Sequence, residues 1–178
     1  MYLDANGGGI MDELAYIRAH REAQVLLDAH WDGEYPVKLG PITEALDAVK
    51  YEMPLDGGFS GVVSKQPGGA ADIVLNSAEP AVRRRFTWAH ELGHIVERSS
   101  VASDEDYSFT DTRGNDYDLH EFFADEFAGA LLMPENEIHR LEGMGYSIAQ
   151  QARHFGVSLP AVRQRHKRLT MQPDPASV

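Results

Sequence analysis

His90, Glu91 and His94 form the run His-Glu-Leu-Gly-His within an apolar stretch, with Phe86-Thr87-Trp88-Ala89 before it and Ile95-Val96 after it. On a helix, residues four apart are separated by roughly 40° around the axis, so both imidazoles leave the same face and can grip one tetrahedral ion. Glu91 follows the first histidine directly and reaches the open position of such an ion. A carboxylate there can take the proton of a bound water, which is the chemistry of metal-assisted hydrolysis.

The surrounding elements must supply a third ligand. Asp72-Ile73-Val74-Leu75-Asn76 reads as a short strand, and a helical pattern begins after it with Pro80 in its first turn, which puts the histidine pair in mid-helix. A second helix is predicted over Leu119 to Leu132, with Glu121, Ala124, Asp125, Ala128 and Leu132 on one face. Small residues at 124 and 128 let the two helices approach closely, so Glu121 is the chosen third ligand. Asp125, one turn on, is placed to accept the free ring N–H of a ligating histidine. Glu97, His120, Asp116 and Asp118 remain alternative third ligands. The long three-histidine metzincin pattern is excluded, because Glu97 and Ser100 stand where it needs glycine and histidine.

The segments from Arg83 to His94, from Glu121 to Ala128 and Leu131-Leu132-Met133-Pro134 together resemble the ImmA/IrrE family of metallopeptidases in order and spacing. The resemblance extends over about residues 35 to 169, through Ile73-Val74-Leu75-Asn76 and Phe155-Gly156-Val157-Ser158. It implies that His90, His94 and Glu121 hold zinc, that Glu91 is the catalytic acid/base, and that the chain is a gluzincin-like endopeptidase. Family members often act on helix-turn-helix repressors, so the resemblance also implies a regulatory protein as substrate. The alternative is a metal-dependent sensor or partner-binding regulator without proteolysis.

Composition sets further bounds. With 178 residues and 43% hydrophobic content the chain can bury one good core. The absence of cysteine removes disulfides, thiolate metal sites and cysteine nucleophiles, so a metal must be held by histidine and carboxylate. No export leader or membrane-length apolar run is visible, and a cytoplasmic protein is expected. A formal charge of -12 argues against nucleic acid binding by the whole surface and is compatible with a basic partner or simply with a soluble acidic surface.

The expected fold is α+β: a mostly helical zincin-like domain over residues 1–145, a helix-turn-helix-like pair over 146–169 packed on it, and a flexible tail over 170–178. Helices are expected from Met11 to His30, from Pro41 with Ile42, Leu46 and Val49 on its apolar face, and from Pro134 to Leu141. Strands over Lys50–Met53, Gly61–Lys65 and Ala71–Asn76 are read as a three-stranded antiparallel sheet, with a turn at Gln66-Pro67-Gly68-Gly69. The strand Gly61–Lys65 is the expected edge on which an extended substrate would pair, unless a loop closes it. Ser99 to Asp118 reads as an acidic, solvated lid without the spacing of a calcium loop.

Ser147 and Ser158 are expected caps of helices Ile148–Phe155 and Leu159–Leu169. Arg153, His154, Arg163, Arg165, His166, Lys167 and Arg168 make that pair basic, as a DNA-reading element would be. Gln151, Arg165 and Pro160 depart from the usual pattern, which favours packing or partner docking. An oxyanion donor is sought among Tyr146, His139, Tyr107 and Tyr117.

Overall fold

The computed structural model describes residues 14–99, 107–112 and 119–171, the strand at 107–112 by its backbone. Helices α1 (Ala15–His30) and α2 (Leu39–Ala45) lead into strands β1 (Ala48–Met53), β2 (Phe59–Lys65) and β3 (Ala71–Asn76). Helix α3 (Ala81–Ser99), strand β4 (Tyr107–Thr112) and helices α4 (Leu119–Leu132), α5 (Glu135–Gly143), α6 (Ile148–Phe155) and α7 (Leu159–Met171) follow. This is the α+β class expected.

The sheet differs from the expectation in two respects. Among the described residues it has four strands in the order β1-β3-β2-β4, and it is mixed: β1 runs parallel to β3, while β2 is antiparallel to both β3 and β4. The return from β1 to β2 is not a hairpin, because β3 inserts between them. A short run of β-branched residues specifies a strand without specifying its neighbour. Consequently β2 is not the edge. It pairs on both sides, Val63 lying opposite Ile73 on β3 and Phe109 on β4, and among the described residues the edges are β1 and β4.

Strand β4 arises within the stretch read as an irregular lid; the rest of that stretch, 100–106 and 113–118, lies outside the described residues. The Gln66–Gly69 turn forms as expected, with Gly69 N–H donating to Gln66 O at 3.0 Å and Gly68 at φ 72°. Val49, expected on the second helix, lies on β1 and is exposed.

Helix α3 is clamped between layers. Ala71, Ile73 and Leu75 alternate inward along β3, and Ala89 to Glu97 on α3 is buried all round. A helix segment buried on all sides needs neighbours on all sides. The sheet provides one and α4 the other, with α1 lying on α4. Trp88 Nε1 donates to Thr43 Oγ1 on α2 at 3.0 Å, and Arg85 Nη2 donates to Val37 O at 2.6 Å, which fixes the helix along its axis. Fully buried Phe123, Phe127, Leu131 and Leu132 of α4 join the core, as do Phe155 of α6, Val157 in the turn after it and Val162 of α7. No helix among the described residues is long and apolar enough to cross a membrane.

Candidate metal centre

The start of α3 is set by the chain before it. Asn76 at the end of β3 donates to Phe59 O at 2.8 Å and accepts from Ala78 N–H at 3.1 Å, turning the chain, and Arg84 donates to Glu79 O at 2.6 Å across the first turn. Three turns later His90 and His94 emerge on one face, 4% and 0% exposed. Helix α4 reaches them because the contact between the helices is made of small residues. A Cβ on Gly93 would lie 2.9 Å from Ala124 Cα and 3.2 Å from Ala124 O. Ala124 and Ala128 are fully buried, in the close-approach role read from the sequence.

Glu121, one turn before Ala124, thereby meets both imidazoles. Its Oε2 lies 3.3 Å from His90 Nε2, its Oε1 lies 3.3 Å from His94 Nε2, and the two Nε2 atoms are 3.1 Å apart. One ligand atom from each of the three residues falls within 4.8 Å of the others, and together they can hold a metal ion. Two nitrogen ligands at 2.0–2.1 Å on a tetrahedral ion are separated by about 3.3 Å, so the spacing fits a small divalent cation. The fit extends outward: His90 Nδ1–H donates to Asp125 Oδ1 at 3.1 Å, leaving Nε2 to face the ion.

The electrostatics of the pocket favour positive charge. Burial opposes a charged His90, but hydrogen bonds to Asp125 and Glu121 outweigh it and hold the imidazole well above its ordinary pKa. His94 is lowered because burial prevails over Glu121. The Glu121 carboxyl lies far below the usual carboxylate range, held there by the two histidines against the effect of burial.

Glu91 is fully buried and points from α3 toward β2. A Cβ on Gly61 would lie 2.6 Å from Glu91 Oε1 and 2.6 Å from Thr87 Cγ2, so the strand carries glycine where the carboxylate crosses it. Glycine inside a strand signals such an approach, and Gly61 before Val62-Val63 carries that signal in the sequence.

The rival third ligands fall elsewhere. Glu97 and His120 bond to each other, Oε2 to Nδ1 at 3.0 Å, and Asp116 and Asp118 lie outside the described residues. Of the oxyanion candidates, Tyr117 is also outside them and Tyr107 lies on β4. Tyr146 packs on the core, and His139 lines a shallow pocket with His20, Gln24 and Asn136.

Behind Asp125 lies a network that the sequence reading did not find. Glu126, 1% exposed, receives His20 of α1 at 2.9 Å and Arg168 of α7 at 3.0 Å, with Arg165 Nη1 at 3.6 Å. Arg168 also reaches Asp125 Oδ2 at 3.0 Å. Two cations counted toward a DNA-reading face are therefore turned inward. Gln151 is likewise buried, bonded to Tyr146 O and His166. The helical pair itself forms as expected, with a capping box at Ser147 and Gly156 at φ 67° between the helices.

An α+β domain thus brings two histidines of one helix and a carboxylate of another onto one point where a metal ion could be held. The chain belongs to the IrrE N-terminal-like domain family, Peptidase_M78, which matches residues 47–167. No curated protein matches the chain. Among solved structures it is similar to a Mycobacterium tuberculosis transcriptional regulator, with 20% identity and a TM-score of 0.48 over 93% of this chain. It spans about half, 49%, of that chain's length.

Proposed function

We propose that the protein is a zinc-dependent endopeptidase in which His90, His94 and Glu121 hold the metal and Glu91 is the catalytic acid/base. The observation that carries this reading is the convergence of three ligand atoms within 4.8 Å on α3 and α4, with Glu91 next to His90 on α3. Zinc held there supplies Lewis-acid activation of water and of a scissile carbonyl. Glu91 takes the proton from the attacking water and returns it to the departing amine, atoms and charge balancing over the cycle. Glu121 and Asp125 supply the negative charge that steadies a cation, and Asp125 fixes the ring orientation of His90.

The substrate we propose is a regulatory protein with a basic surface, such as a helix-turn-helix repressor. The resemblance of the His90–His94 and Glu121–Ala128 segments to the ImmA/IrrE family implies this class, and the formal charge of -12 is compatible with a basic partner. DNA contact through α6 and α7 is the weaker reading, since Arg165 and Arg168 are bonded to acidic groups of α4. Co-expression with a repressor encoded beside this chain tests the proposal. Fragments of the partner should form with the parent chain and not with Glu91→Gln; an intact partner with both chains contradicts it.

A further inference from the structure

Asp125 has a demanding position. Its side chain is 26% exposed, and it lines a cavity of about 230 Å³ together with Val82, Phe86 and Gln164, so solvent is within reach of its carboxylate. A carboxylate free to rotate toward water would leave His90 Nδ1 without a fixed acceptor. What holds it comes from the far end of the chain. Arg168 of α7 forks across adjacent residues of α4, Nη2 to Asp125 Oδ2 at 3.0 Å and Nη1 to Glu126 Oε1 at 3.0 Å, while Asp125 Oδ1 faces His90.

The second arm of the fork is the anchor. Glu126 is buried and tied to His20 of α1, so the guanidinium is held at a fixed place rather than on a loose stem. The Arg168 guanidinium also lies over the Phe122 ring, 5.6 Å from its centroid. A planar fork spanning two carboxylates is geometry that arginine provides and lysine does not.

We infer that Arg168 is a positioning residue of the metal centre, acting through Asp125 on the ring of His90, so that the C-terminal helix pair is a working part of the site. The inference rests on the proposed metal ligation by His90. It makes removal of α7 a loss of metal affinity and not only of packing.

The test measures Co2+ and Zn2+ affinity of the full chain by equilibrium dialysis, with the Co2+ absorption spectrum as a report of ligand geometry. Arg168→Lys keeps the positive charge, so attraction or repulsion of the cation is held nearly constant while the fork is lost. Arg168→Lys is expected to bind about 10-fold more weakly with an altered Co2+ spectrum, the range found for groups that orient metal ligands. In an Asp125→Asn background the same change should alter affinity less than about 2-fold, because the relay is already cut. Arg168→Gln, read in the same cycle, replaces it if the lysine variant does not fold.

Equal affinity of parent and Arg168→Lys overturns the inference, as does an equal loss in both backgrounds, which marks a packing effect. A parent chain that takes up neither metal overturns the metal reading itself, a distinguishable failure.

Discussion

Gly93, between the two histidines, is where the account can be broken with a single methyl group. Its added Cβ would sit 2.9 Å from Ala124 Cα, 3.2 Å from Ala124 O and 3.2 Å from Phe127 Cδ1. Ordinary carbon contacts are about 3.5–4.0 Å, so α3 and α4 must separate by roughly 0.5–1 Å at this point. Two of the three obstacles are backbone or its Cα and cannot rotate away. Overpacking of this kind costs about 1–3 kcal/mol, which for a chain of this size lowers the unfolding temperature by several degrees.

The functional consequence is larger than the stability loss. Glu121 lies one turn from Ala124 on the displaced helix, and ligand distances tolerate only about 0.2 Å. Gly93→Ala should therefore weaken zinc binding by at least about 10-fold while the chain remains folded. Titration calorimetry and thermal unfolding with and without zinc measure both. Zinc affinity within about 2-fold of the parent would refute the argument that close helix contact brings Glu121 to the histidines.

Other outcomes follow from the same geometry. On the proposed function, Glu91→Gln should bind one zinc as the parent does, by elemental analysis, and leave a co-expressed repressor uncleaved. Gly61→Ala should also keep metal, because the atoms nearest an added Cβ belong to Glu91 and Thr87 and not to a ligand, yet cut the cleavage rate by 10-fold or more by displacing Glu91; an unchanged rate means the glycine serves only the strand. Burial would raise the Glu126 carboxyl, but His20, Arg168 and Arg165 more than offset it, so its pKa lies below the ordinary 4.5. Its ionised form therefore stabilises the fold above that value, and the benefit disappears as pH falls through the lower folded pKa. Glu126→Gln should cost roughly 3 kcal/mol at pH 7, as for a broken buried ion pair, and the gap from the parent should narrow in chemical unfolding as pH falls through the lowered folded pKa. A gap that is independent of pH contradicts the assignment.

The convergence of His90, His94 and Glu121 was legible because its parts are local in sequence. Helical spacing brings His90 to His94 and Glu121 to Asp125, and small residues at 124 and 128 announce that the two helices touch. The sheet order was not legible, since the pairing of β1 with β3 is a choice among non-local partners of similar sequence. Strand β4 was hidden by its acidic surroundings, although Tyr107, Phe109, Thr110 and Thr112 have the types that strands favour. The role of Arg168 was also hidden. A basic residue on a terminal helix looks the same whether it faces DNA or a carboxylate 43 positions away in sequence, and only tertiary packing decides.

Anomalous diffraction at the zinc edge from crystals of the intact chain tests the central claim most directly. The account predicts one peak per chain, within about 2.0–2.2 Å of His90 Nε2, His94 Nε2 and a Glu121 carboxylate oxygen. A zinc-supplemented crystal with no peak there, or with the metal bound by other residues, contradicts it.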